Sequence, residues 1–142
     1  MKTIIVYFIF LSSLFAHSTT HNQALILEKI FNDITINKEL KLWSDNKKLL
    51  NEIKEHHKFT IVEKLNDANI IILENKNSIT KKCLSKYIFV LKYKLLTEIP
   101  RSFGALFWKK GRPNIVIIKP RAKAQSIKLS EELEPYIEEK VW

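Results

Sequence analysis

One cysteine, two glycines and four histidines in 142 residues exclude several kinds of chemistry at the outset. Cys83 stands alone, so no disulfide closes within the chain and the fold must rest on its apolar core. Gly104 and Gly111 are too few to build a glycine-rich phosphate loop. His56 and His57 are adjacent, and on a helix such neighbours point about 100° apart, which does not suit joint metal ligation. They read as residues of a surface or a helix C-terminus. No serine lies in a nucleophile-elbow context. Lys81 and Lys82 beside Cys83 provide the setting of a reactive thiol, but no histidine follows it in the chain. A buried, inert cysteine next to Leu84 is the expectation. Asp45 and Asp67 fall at element boundaries, where capping and turn formation account for them. No catalytic residue, metal or cofactor is expected, and the chain reads as non-enzymatic.

Long apolar runs are also missing, with one exception. Ile4 to Phe15 is apolar except for Ser12 and Ser13, follows Lys2, and precedes Ala16-His17-Ser18. That is the pattern of an export signal with a small-residue cleavage site. Residues 1–18 are expected to be a cleaved signal, and residues 19–142 a single periplasmic domain; the alternative is an uncleaved anchor. No later stretch is long and apolar enough to span a bilayer as a helix. The overall balance, 46% hydrophobic and 27% charged, is that of an ordinary globular chain.

Charge is unevenly placed. The net charge is +9, and +8 without the Lys2 of the signal. Thr19 to Thr80 carries nine basic and nine acidic residues. Lys81 to Lys128 carries thirteen basic residues and only Glu98 as an acid, whereas Leu129 to Trp142 carries five glutamates and Lys140. A cationic middle fits a surface that steers anionic partners, including anionic membrane headgroups. It also fits nucleic acid, which export argues against. The plainest account is a solvated face with the acidic tail folded back over it.

Periodicity gives a coarse order of elements. Ala24 to Ile34 repeats apolar residues at helical spacing, with Asn22 as a plausible N-cap. Glu39 to Trp43 alternates as a short strand. Ser44 or Asp45 caps a helix from about Asn46 to His57, and Phe59 to Val62 is a second strand. Asn69 to Leu73 and Tyr87 to Leu91 are continuous apolar runs, as in strands covered on both faces. Between them, Ser78 or Thr80 opens a short helix reaching Lys86. Leu95-Leu96 mark a helical turn stopped at Pro100. Phe103 to Trp108 and Asn114 to Lys119 form a closing hairpin around Gly111, and Ser130 caps a last helix. Strands alternating with helices imply a single α/β domain: a mainly parallel sheet of about five to six strands, helices on both faces, and an antiparallel hairpin at the end.

The hairpin is the specialised segment. Phe107 and Trp108 stand beside Lys109, Lys110 and Arg112, and aromatic residues next to cations are a common recognition surface. Alternation places Phe103, Ala105 and Phe107 on one face, with Gly104, Leu106 and Trp108 on the other. A second candidate is an anion or small-ligand site where helix starts meet strand ends, at Ser44, Asp45 and Ser78, resembling half of a periplasmic solute-binding protein.

The order of segments resembles the YfiR-like family of small periplasmic proteins. The segments are ALILEKIF from Ala24, NIIIL from Asn69, IFVL from Ile88, NIVII from Asn114, and finally Arg121 with SEELEPYIE. The chain differs from that family in two places. Cys83 is alone where the family often carries several cysteines, and Phe103-Gly104-Ala105 replaces a double glycine before the late strand. The resemblance implies a non-enzymatic binding protein that restrains a membrane-anchored signalling enzyme, such as a diguanylate cyclase, through that enzyme's periplasmic domain.

Overall fold

The computed structural model describes residues 20–142; the signal expected over residues 1–18 lies outside them. Helix α1 occupies residues 20–32 of that span, so Asn22 is an interior helical residue and not its cap. The chain turns at Asp33 into β1 (Ile34–Thr35). There follow β2 (Leu40–Ser44), α2 (Lys47–Glu52), β3 (Phe59–Ile61), β4 (Ile70–Leu73), β5 (Tyr87–Val90) and α3 (Lys94–Glu98). The last elements are β6 (Gly104–Lys109), β7 (Arg112–Ile118), α4 (Lys119–Ala124), β8 (Lys128–Leu129) and β9 (Ile137–Glu138).

The main sheet has seven strands in the order β3-β2-β4-β5-β6-β7-β9. Its first five strands run parallel. β6 and β7 form the antiparallel hairpin, and β9 lies parallel to β7. The mainly parallel α/β class is the one the sequence implies. The strand count is higher because β9 has two residues, too few to show a period; β1 and β8, equally short, pair separately.

Alternating side chains divide the core between two faces. On one face Leu40, Leu42, Ile70, Ile72, Phe89, Leu106 and Ile117 pack under Leu27, Ile30 and Phe31 of α1, with Leu49 of α2 and Ala122 of α4. On the other, Ile71, Leu73, Ile88, Val90, Ala105 and Ile118 meet Leu95 and Leu96 of α3, together with Cys83. All four residues of β4 are buried, as a strand covered on both faces requires. Cys83 is fully buried with its Sγ accepting from the Thr80 amide at 3.5 Å. Its burial is as expected.

Three helical expectations change. Asn46, not Ser44 or Asp45, caps α2: its Oδ1 accepts from the Leu49 amide at 3.0 Å. The helix ends at Glu52 because Ile53 goes extended while its side chain stays buried. His56 and Phe59 then exchange backbone hydrogen bonds of 3.0 and 3.1 Å, so the histidine pair lies in a tight turn and not at a helix end. The Ser78–Lys86 segment forms two 3-10 turns, Lys76–Ser78 and Lys81–Ser85. The last helix is also a 3-10 turn, Glu131–Tyr136, which Ser130 caps and Pro135 keeps from continuing as α.

Candidate functional site

The hairpin closes through a two-residue loop. Lys109 pairs with Arg112, and Lys110 and Gly111 between them have φ of 53° and 75°. Positive φ at both positions is the turn geometry that matches strand twist in tight hairpins. Glycine takes it freely; lysine takes it at a cost. Next along the ladder, Trp108 faces Pro113. That is a non-hydrogen-bonded pair, so the missing proline N–H faces the open edge and breaks no ladder bond.

At its base the hairpin is gripped on both sides. β5 pairs with it only through Phe89–Gly104 and Val90–Ala105, and β9 only through Ile137–Ile117 and Glu138–Ile118. Beyond those pairs, Leu106–Lys109 and Arg112–Val116 form a two-stranded arm. At the grip a Cβ on Gly104 would lie 2.8 Å from the Val116 carbonyl oxygen and 2.9 Å from the Phe89 ring, so only glycine fits. Phe103 breaks the expected alternation. Its amide donates to Ile88 on β5, while its carbonyl accepts from Ile118 on β7. A regular strand residue turns both groups the same way. The twist sends Phe103 into the α1-side core with Phe89 and Leu106, and not beside Ala105 and Phe107.

Arg121 braces the base from behind. Its Nη1 donates to the carbonyls of Leu96 at 2.7 Å and Ser102 at 3.1 Å, joining α4 to the C-terminal end of α3. Burial lowers the guanidinium pKa from its usual value, although an arginine so placed stays charged. A cation at a helix C-terminus also suits the helix dipole.

The arm separates the five residues singled out in the sequence. The Trp108 ring packs on the α1-side core with Ile115 and Tyr136. Phe107 lies on the opposite face, 5.1 Å from the Tyr93 ring in an edge-on contact. That face of the arm is covered only in part, with Phe107 and Val116 half-buried against the α3-side core. It opens as a groove of about 480 Å³ bordered by Tyr93, Phe107, Lys109, Val116, Glu138 and Trp142, with Trp108 and Asn114 along the strands. A second depression of about 310 Å³ is lined by Lys109, Lys110, Arg112 and Asn114. The two share Lys109 and Asn114 and form one trough, aromatic at one end and cationic at the other.

Tyr93, Asn114, Glu138 and Trp142 were not evident as site residues in the sequence. Trp142 follows β9, and its amide donates to Tyr93 Oη at 2.8 Å, while that hydroxyl donates to the Trp142 carbonyl at 3.1 Å. The indole itself is 77% exposed, with Lys140 Nζ 4.1 Å from its ring centre. The acidic tail does fold back beside the hairpin through β9. Among the described residues, however, the ion pairs are His21–Glu52 and Lys119–Glu139, and no carboxylate lies within pairing distance of Lys109, Lys110 or Arg112.

Ser44 and Asp45 lie at the C-terminal end of β2, where the strand order reverses between β2 and β4, the usual ligand crevice of an open α/β sheet; Ser78 ends the 3-10 turn Lys76–Ser78 beyond β4. Ser44 is fully buried, and its Oγ accepts from the Asn46 amide at 3.0 Å. Asp45 accepts from the amides of Glu74 at 2.8 Å and Asn75 at 2.9 Å. Asn46 Nδ2 donates to Glu74 Oε2 at 2.9 Å. Two amides of the loop after β4 thus already hold the Asp45 carboxylate. Among the described residues no group of three or more His, Cys, Asp or Glu side chains gathers to hold a metal ion, and no helix is long and apolar enough to cross a membrane. Comparison with known protein families returns no match, and comparison with curated proteins returns none either.

Proposed function

We propose that this chain is a non-enzymatic periplasmic binding protein that regulates a membrane-anchored signalling protein by reversible docking of its hairpin arm. One observation carries the reading: an arm held at its base by β5 and β9 presents exposed Lys109, Lys110 and Arg112, with no ion-pair partner among the described residues, beside a half-buried Phe107. Such a surface combines an apolar anchor with charges that speed encounter with an anionic partner. The export signal and the resemblance to the YfiR-like family supply the compartment and the class of partner. The regulated protein is a sensor kinase or diguanylate cyclase type, contacted through its periplasmic domain.

The test is photo-crosslinking in cells from position 109, which borders both halves of the trough. Capture of the periplasmic domain of one membrane-anchored sensor is the expected result. Failure to capture any such domain, with the protein correctly exported, overturns the reading.

A further inference from the structure

The docking reading leaves open what part of a partner the arm would take, and the trough has features that specify it. Phe107, Asn114 and Val116 of the two strands line the trough together with Tyr93 and Trp142 from other parts of the chain. Trp142 is one of three large apolar side chains exposed among the described residues, and the only one of them on this trough. Its backbone is bonded to the Tyr93 hydroxyl through both its amide and its carbonyl, which keeps the residue beside the trough. Exposed tryptophan beside a groove is the type of side chain that dominates binding energy when covered.

Charge sets the polarity. Lys109 stands between the aromatic half and the cationic half, which Lys110 and Arg112 continue. Glu138 is the only acid on the lining, at the end near Trp142. An occupant that satisfies both ends is long and narrow, with carboxylates toward the hairpin tip and an apolar side chain between Phe107 and Trp142. We propose that the trough receives an extended acidic peptide segment carrying one large apolar side chain. This inference rests on the docking reading and names the partner's feature that the arm recognises.

The probe is a short fluorescein-labelled peptide with one phenylalanine among glutamates, titrated into the full-length protein at low salt and followed by anisotropy. Two control peptides replace the phenylalanine by alanine or the glutamates by glutamine. Either control is expected to bind about tenfold more weakly or worse. Trp142→Ala and the double variant Lys109→Ala/Arg112→Ala are expected to cost the parent peptide a similar factor, with unchanged thermal melting. Phe107→Ala should do the same but also touches the core, so the exposed-residue variants decide. Equal binding by Trp142→Ala, or by the glutamine peptide, overturns the inference. So does binding to vesicles containing phosphatidylglycerol that these variants abolish while no peptide binds, since the surface would then serve lipid. The two readings fail separately. A sensor captured from position 109 with no effect of Trp142→Ala on peptide binding removes only the peptide inference. Peptide binding through the trough with no sensor captured removes only the docking partner.

Discussion

In the parallel body, β2, β4 and β5 lie between two layers, and β4 has no exposed residue. In the distal arm of β6 and β7, the α1-side face joins the core while the other is covered only in part. Trp108 and Ile115 find the α1-side core, while Phe107, Asn114 and Val116 look into an open trough. The two regions use their apolar side chains differently. In the body they are spent on cohesion, and mutations there report on folding. In the arm part of them stay at the surface, so on the proposed function mutations there would report on docking.

The sharpest way to test that division is to damage each side in turn. Phe89 packs edge-on against Phe31 at 5.4 Å and beside Phe103 at 5.6 Å. Phe89→Ala is expected to remove about 3 to 5 kcal/mol of stability, read from urea unfolding. Gly104→Ala tests the grip itself. The added methyl meets a backbone carbonyl that moves only with the ladder, so a loss of about 1 to 3 kcal/mol is expected. Gly111→Ala asks for an alanine at φ 75° in open space, which should cost about 1 to 2 kcal/mol from backbone strain alone. Lys110→Asn, by contrast, places a residue suited to positive φ in the same turn and should raise stability by up to about 1 kcal/mol. Smallest in stability is the exposed tip. Lys109→Ala with Arg112→Ala should shift unfolding by no more than about 0.5 kcal/mol. If that pair destabilised the fold as much as Phe89→Ala, the contrast between body and arm would collapse.

The body was legible in the sequence because its strands are runs. Asn69 to Leu73 and Tyr87 to Leu91 announce themselves by continuous hydrophobicity, and β4 and β5 lie within one residue of those bounds at each end. The hairpin was legible through Gly111 and its flanking alternation. What escaped has a common cause. β1, β8 and β9 have two residues each, and so short a strand is set by tertiary pairing and not by any local pattern. α4 escaped because Pro120 reads as a stop, although it sits where a helix tolerates proline, at its start. Half of the site was visible: Phe107, Trp108, Lys109, Lys110 and Arg112 all border the trough. The other half is brought from far along the chain. Tyr93 and Trp142 are joined by hydrogen bonds across 49 positions, which no local spacing encodes.

The crevice at the reversal of strand order carries its own lesson. A fold of this type ordinarily leaves that point free for a ligand. Here Asp45 bonds across it by accepting two amides of the facing loop. Asp45→Ala is expected to lower stability by about 1 to 3 kcal/mol, because both amides lose a charged acceptor. A larger loss would make the crevice more important to cohesion than the grip on the hairpin.

Pro113 has a consequence beyond the turn it follows. An apolar two-stranded arm with unpaired edges is a template onto which a second chain can add its own strand, and copies can then stack without limit. An imino acid on the outward edge supplies no donor at that rung, and its ring crowds an approaching backbone. The arm therefore leaves its side chains exposed while it resists edge-to-edge polymerisation, so the surface proposed for docking can be displayed without seeding fibres.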